Sequence, residues 1–339
     1  MLGRSDKPFS VLVTGGAGYI GSHAVLALLD AGWKVVVLDN LATGFRWAVP
    51  ETVEFVLGDV ADMEMVQATI AKHNIGAILH FAGSLLVGES VGNPLKYYRN
   101  NTAASRTLIE AAIGAGVHHF VFSSTAATYG MPEVVPVAED APKAPINPYG
   151  LSKLMTEQIL ADVAAAHPLN YAALRYFNVA GADPQGRSGQ SVAGATHLIH
   201  IACEAATGKR GHVGIYGDDY PTPDGTGVRD YIHVSDLADA HVAALEWLIA
   251  NPSESLTANV GYGRGYSVLE VLDVVDHVTN MAIERRQEPR RAGDPPTLVA
   301  DNRRILETLS WRPRHGDLAS IVASALAWER TLQERGLSS

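Results

Sequence analysis

The stretch "VLVTGGAGYIGSHAVLALLDAGWKVVVLDN" at residues 11–40 decides the fold: it reads as strand, glycine turn, helix and strand. Gly15, Gly18 and Gly21 satisfy GxxGxxG, while Gly16, Gly18 and Gly21 satisfy GxGxxG. In either register the missing side chains permit a tight turn and let a pyrophosphate approach the helix N-terminus, whose free N–H groups favour an anion. Asp39 ends the next strand about 20 residues further on, where a carboxylate takes the diol of an adenosine ribose and repels the 2′-phosphate of NADP. The pattern predicts a dinucleotide site that takes NAD. Asp59, after "FVLG", keeps two readings: a bond to adenine, or the cap of the following helix.

Working outward, short apolar runs alternate with helical patterns from Val11 to about Asn178. The candidate strands are "VLVT" (11–14), "VVVLD" (35–39), "EFVLGD" (54–59), "AILHFAG" (77–83), "HFVFSST" (119–125) and "YAALRYFN" (171–178). Continuous apolar strands separated by helices predict an α/β fold, a Rossmann-type doubly wound parallel sheet with active residues beyond the strands' C-terminal ends. After Asn178, Gly/Pro/Asp-rich loops such as "GADPQGRSGQSVAG" and "GDDYPTPDGTGVRD" separate shorter elements. Helical patterns over 236–250, 268–280 and 317–335 complete this part, the last amphipathic enough to pack on the body or on a second subunit. The expected division is a nucleotide-binding domain over 1–180 and a smaller C-terminal α/β substrate-binding region over 181–339, some of whose segments return to the first domain.

With 339 residues, 47% of them hydrophobic, the chain can bury a large core. Its net charge of −10 repels phosphate backbones and anionic lipid, which argues against nucleic acid and membrane as partners. An anionic ligand then needs a local positive site. The single cysteine, Cys203, cannot close an internal disulfide and lacks zinc-site spacing, so it reads as a small buried residue in a reducing compartment, with no metal expected. "MLGRSDKPFS" runs into the first strand without an apolar signal segment, and no apolar run is long enough to span a bilayer. A cytoplasmic protein is the expectation.

"NPYGLSK" (147–153) places Tyr149 four residues before Lys153. If Asn147 caps a helix and Pro148 takes its first position, the two side chains share one face about a turn apart. A phenol is a poor base at its free pKa near 10, but a neighbouring ammonium and a positive nicotinamide ring both favour the phenolate. The lysine is therefore read as tuning the tyrosine. "SSTAATYG" (123–130) supplies hydroxyls at the end of the preceding strand. Thr125 is the candidate to bond a substrate oxygen, against the plainer reading of a capping hydroxyl.

With these residues in place the sequence resembles the extended short-chain dehydrogenase/reductases, in their UDP-hexose 4-epimerase branch. The likeness runs nearly end to end, through "VTGGAGYIGSH", "LDNL", "HFAG", "VGES", "PLKYYRNN", "PYGLSK", "RYFN", "DYPTPDGTGVRDYIHVSDLADAH" and "RRAGDPP". It implies Thr125, Tyr149 and Lys153 as the catalytic set. It implies NAD held by Gly15, Gly18, Tyr19, Ile20, Gly21, Asp39, Asn40, Asp59, Val60, Phe81, Ala82, Gly83, Asn100 and Phe177 together with that set. A UDP-sugar would lie between the two regions, contacted by Thr125, Tyr149, Asn178, His197, Leu198, Tyr216, Arg229, Arg291, Asp294 and Leu298. Arg229 and Arg291 also make independent sense as charge-assisted donors to a diphosphate. A homodimer is implied as well.

The implied activity is interconversion of UDP-galactose and UDP-glucose: oxidation at C4 of the hexose with hydride passing to NAD, rotation of the 4-keto sugar, and return of the hydride. The same chemistry on a UDP-N-acetylhexosamine or UDP-arabinose is the alternative, since Leu298 stands at the wall position where the branch varies between bulky and small residues. Leu85 replaces a lysine common near the cofactor, and His197 replaces an asparagine that holds the diphosphate. A 4,6-dehydratase would resemble Thr-Asp-Glu after the strand, whereas Thr125-Ala126-Ala127 follows here. A catalytically silent NAD-sensing regulator would have no need of a tuned phenolate.

Overall fold

The structure is a computed structural model that describes residues 7–192, 194–291 and 293–337. The first six residues of the "MLGRSDKPFS" stretch lie outside the described residues. Six strands appear as the apolar runs predict: β1 (Ser10–Thr14), β2 (Lys34–Asp39), β3 (Glu54–Leu57), β4 (Ile75–His80), β5 (His119–Thr125) and β6 (Asn170–Tyr176). They form one parallel sheet with a seventh strand, Leu256–Val260, on the edge beside β6. The order is Leu256–Val260, β6, β5, β4, β1, β2, β3, so the direction of winding reverses between β1 and β4. Loops leaving those two strands must diverge, which opens a crevice at the C-terminal edge.

Alternation along each strand divides the core in two. Val11 and Val13 join Val35, Val37 and Leu79 beneath the Tyr19–Asp30 and Val234–Ala250 helices. Leu12 joins Val36, Leu38, Ile78 and Phe120 beneath the Met63–His73 and Ala104–Gly114 helices. A strand buried on both faces must be apolar at every position, which is why these runs show no polar alternation.

The C-terminal half does not stay apart from this sheet. The Val234–Ala250 helix covers one face and Leu256–Val260 adds the edge strand. Residues before and after them build the smaller region. There Val228–His233 pairs with Asn178–Ala180, Gly265–Ser267 and Thr297–Leu298. Val213–Tyr216 pairs with Arg285–Glu288. Cys203 is buried in that region's core with Val271, Leu272 and Ile321, as a small apolar side chain would be. Among the described residues no helix is long and apolar enough to cross a membrane.

A buried ion pair joins β5, β6 and the Pro148–Ala166 helix. Arg175 on β6 makes bonds of 2.9 and 2.5 Å to the Glu157 carboxylate, which also accepts from the Ser124 hydroxyl of β5. The same guanidinium donates to the Tyr129 hydroxyl at 3.0 Å, and Tyr129 in turn reaches Asn259 on the edge strand at 2.6 Å. Removing one partner leaves a buried charge without compensation. An Arg175→Met variant should lose about 3–5 kcal/mol of unfolding free energy, measured by urea denaturation; a loss near zero would show that Glu157 is solvated or neutral.

Candidate active site

The glycine turn has the close contacts that its sequence requires. Gly15 has φ +71°, and a Cβ there would lie 2.6 Å from the Ala82 nitrogen. A Cβ on Gly21 would lie 2.1 Å from the Gly15 carbonyl oxygen. Gly18 precedes the Tyr19–Asp30 helix and gives it no side-chain cap, so the first-turn amides of Tyr19, Ile20 and Gly21 have no side-chain acceptor. Backbone donors open toward a space that only glycines can border suit a pyrophosphate, and NAD fits the residues present.

Asp39 is fixed rather than free: one carboxylate oxygen accepts from Ala17 N at 2.9 Å and the other from Leu41 N at 2.8 Å. Each oxygen keeps lone-pair capacity for a ribose hydroxyl. Asn40 donates to Asp59 at 3.1 Å, which brings the two strand ends together. The helix after Asp59 is capped by Asp62, which accepts from Met65 N at 3.0 Å, so the capping reading of Asp59 is replaced. The carboxylate of Asp59 instead accepts from Ala61 N at 2.9 Å, in a tight local turn. Val60 is buried in the core under β2. Phe81, Ala82 and Gly83 leave β4, and a Cβ on Gly83 would lie 2.9 Å from Asn101 Oδ1. Asn100 donates to the Ser84 hydroxyl at 3.1 Å from a π-helical turn, Tyr98–Ala103.

The helix that carries Tyr149 starts as its sequence prescribes. Asn147 accepts from Gly150 N at 2.9 Å, Pro148 occupies the first turn, and the helix runs to Ala166. Tyr149 is buried, and the Thr125 hydroxyl beside its phenol favours the ionised form. Thr125 also accepts from Ala127 N at 3.2 Å, so its hydroxyl both caps a turn and meets the phenol. Lys153 donates to the Ser123 carbonyl at 2.9 Å and lies 4.9 Å from the Phe122 ring centroid.

Electrostatically the pair differs from the tuning read from the spacing. Burial raises the Tyr149 phenol above its ordinary value, and the bond from Thr125 offsets only part of that rise. Burial lowers the Lys153 ammonium to about 8. The chain's own groups thus keep the phenol protonated at neutral pH. Ser123, one of the strand-end hydroxyls, and Tyr176, to which the sequence assigns no role, form a 2.5 Å hydroxyl pair beside them. Asn101 is another: its amide donates to the Ser84 carbonyl and to the Ser152 hydroxyl on the Tyr149 helix. Nothing in their spacing sets them apart, because each acts through a contact made only in the fold.

The smaller region supplies the opposite wall. Arg229 pairs with Asp294 at 3.6 Å, and the Arg291 guanidinium lies 3.7 Å from the Tyr216 ring centroid. Leu298 stands opposite Arg229 in strand register, and Asn178 opposite Tyr231. Phe177 and Leu298 meet Ala126 in one apolar cluster at the end of β5. His197 precedes the Leu198–Ala206 helix, and its buried Nδ1 has no hydrogen-bond partner among the described residues. Burial lowers its pKa, so the ring is neutral and donates through one nitrogen only. His197 lines a small cavity with Tyr19, Gly181, Gln190 and His200. No described bond joins it to Arg229 or Arg291. Leu85, 46% exposed, is on the loop after β4.

Comparison with known proteins places this geometry. Residues 11–261 match the NAD dependent epimerase/dehydratase family. A UDP-glucose 4-epimerase of Azospirillum brasilense is 56% identical over 324 residues, 96% of this chain and 93% of the relative. The crystal structure of a UDP-glucose 4-epimerase from Stenotrophomonas maltophila, with bound NAD and formylated UDP-arabinopyranose, superposes with a TM-score of 0.93. It is 41% identical, covering 96% of this chain and 99% of that one. The UDP-glucose 4-epimerase of Brucella ovis in complex with NAD gives 0.91 at 44% identity, covering 94% and 98%.

The buried ammonium has a consequence for stability. The unfolded chain holds the Lys153 proton with a pKa near 10.4, whereas the folded chain releases it at about 8. Between those values the unfolded state binds more protons, so this group costs stability at neutral pH and relieves that cost as pH rises. Relative to wild type, Lys153→Met should be favoured at neutral pH and have lost most of that advantage by about pH 10. Urea midpoints measured at both pH values check this; a constant difference would mean that the ammonium is well solvated.

Proposed function

The chain belongs to the NAD dependent epimerase/dehydratase family, and on that footing we propose that it interconverts UDP-galactose and UDP-glucose by inverting C4 of the hexose. The observation that carries the reading is the buried Tyr149 phenol beside the Thr125 hydroxyl, with Lys153 one turn on and held by the Ser123 carbonyl of the same strand end. The same strand end continues as Ala126-Ala127, without the acids that a 4,6-dehydratase would use. The names of the similar proteins support the same choice.

When bound, NAD supplies an oxidant that takes and returns one hydride, so the reaction has no net redox. Thr125 holds the 4-hydroxyl by a hydrogen bond, and Tyr149 Oη receives its proton and later gives one back. Lys153 Nζ, held by the Ser123 carbonyl, places a positive charge on the face of the helix that presents the phenol. Arg229 and Arg291 anchor the diphosphate, so the hexose turns while its nucleotide stays in place. That is binding energy from a non-reacting part used for positioning. Leu298 offers an aliphatic wall rather than a hydrogen bond, which makes UDP-N-acetylhexosamine and UDP-arabinose the second reading.

The assembly is read as a homodimer. Val91 and Leu95 are 65% and 78% exposed and Met155 is 39% exposed, on three helices that pack against one another. An apolar patch of this kind suits a second copy of the same face. The location is read as cytoplasmic, in keeping with one buried, unpaired thiol.

Coupling UDP-glucose formation to its dehydrogenase tests the activity, with UDP-galactose, UDP-N-acetylgalactosamine and UDP-arabinose compared as substrates. No turnover by a protein that carries NAD would favour the sensor instead. Tyr149→Phe should fold, keep NAD and lose about 10²–10⁴-fold in rate; unchanged activity would remove Tyr149 as the base. Leu95→Glu should shift the protein to monomer in sedimentation velocity, and a persistent dimer would place the interface elsewhere.

A further inference from the structure

The cleft has a side wall that the activity leaves unassigned. Residues 84–92 leave β4 and cross toward the Tyr149 helix, against which the Val87–Gly92 turn packs. What holds this wall is Tyr97, whose ring is 0% exposed. Its hydroxyl is shared between the Leu86 carbonyl at 2.6 Å and the Glu89 carboxylate at 2.8 Å. Lys96 grips the same carboxylate at 2.6 Å. These bonds, that from Lys96 first, hold Glu89 below the ordinary carboxylate range. The Tyr97 ring meets Tyr149 edge to face, with centroids 6.4 Å apart and planes at 86°.

We propose that Tyr97 is a positioning residue: tethered through its hydroxyl to the Leu86–Glu89 wall, it uses its ring edge to fix the plane of the Tyr149 phenol and to keep water from it. The argument rests on Tyr149 being the base of the epimerase reading. A phenol's second torsion is broad and needs a neighbour to fix it. The Thr125 hydroxyl fixes only the oxygen, and the Tyr97 edge fixes the ring. Tyr97, Tyr176 and Lys153 are the titratable groups around it. Of these Tyr97 alone is tied to the loop after β4.

The test compares Tyr97→Phe with Tyr97→Leu, and with Tyr97→Met as a more adaptable replacement, each purified with its NAD. The readouts are kcat and KM for UDP-galactose and the ultraviolet titration of the Tyr149 phenolate, taken as the difference from Tyr149→Phe. Tyr97→Phe keeps the ring edge and should raise KM several-fold without moving the titration. Tyr97→Leu or Tyr97→Met should lower kcat roughly ten- to a hundredfold and move the titration toward about 10, because water reaches the phenol. An unmoved titration in the aliphatic variants overturns the proposal, as does a Tyr97→Phe loss in kcat equal to theirs. If the wild-type enzyme turns over no UDP-galactose, the epimerase reading has failed, and the titration still decides the role of Tyr97.

Discussion

A side chain at residue 150 would lie 2.5 Å from the Ala127 carbonyl oxygen. The start of the Pro148–Ala166 helix therefore reaches the end of β5 only because residue 150 is glycine. This contact sets the distance between two segments more than twenty residues apart in sequence. A Cβ there would force the helix start off the strand end and carry Tyr149 away from Thr125. Asn147 and Pro148 fix where the helix begins, so the first buried residue of its opening turn is the phenol. Backbone contact, helix cap and parallel strand end together place one oxygen atom.

Charge is handled in the same local manner. The chain carries a net charge of −10, yet its interior holds the Arg175–Glu157 pair and the Lys153 ammonium on or against the helix that carries the phenol. A buried charge without partners would neutralise itself by shifting its pKa. Arg175 avoids this with a bidentate bond, whereas Lys153 has one carbonyl and a ring face, and its pKa falls. The difference separates a structural ion pair from a group placed to act on its surroundings.

The two regions are bound to each other at the helix that opens the nucleotide site. Tyr19 donates to the Gly181 carbonyl at 2.7 Å, and Ser22 shares a 2.7 Å bond with Ser188. Arg187 forms a fork with Asp30 at the helix's far end. Any ligand on the glycine turn therefore sits on an element that the residues after β6 also grip.

The sequence by itself determined the glycine turn, Asp39 and the strand–helix alternation, because each is a local requirement: a turn that admits no side chain, a carboxylate at a strand end, an apolar run buried on both faces. It also determined the start of the Tyr149 helix, since a cap and an N-terminal proline act within four residues. It did not contain the seventh strand's place in the first sheet, which depends on which edge remained open after six strands had paired. Nor did it assign roles to Tyr97, Ser123, Tyr176 and Asn101, whose spacing is that of any core residue. Their roles come from contacts across the fold, and contacts between distant segments leave no period in a single sequence. The same reason explains Tyr149: spacing placed a lysine one turn away, but the degree of burial, which only packing decides, sets whether the phenol holds its proton.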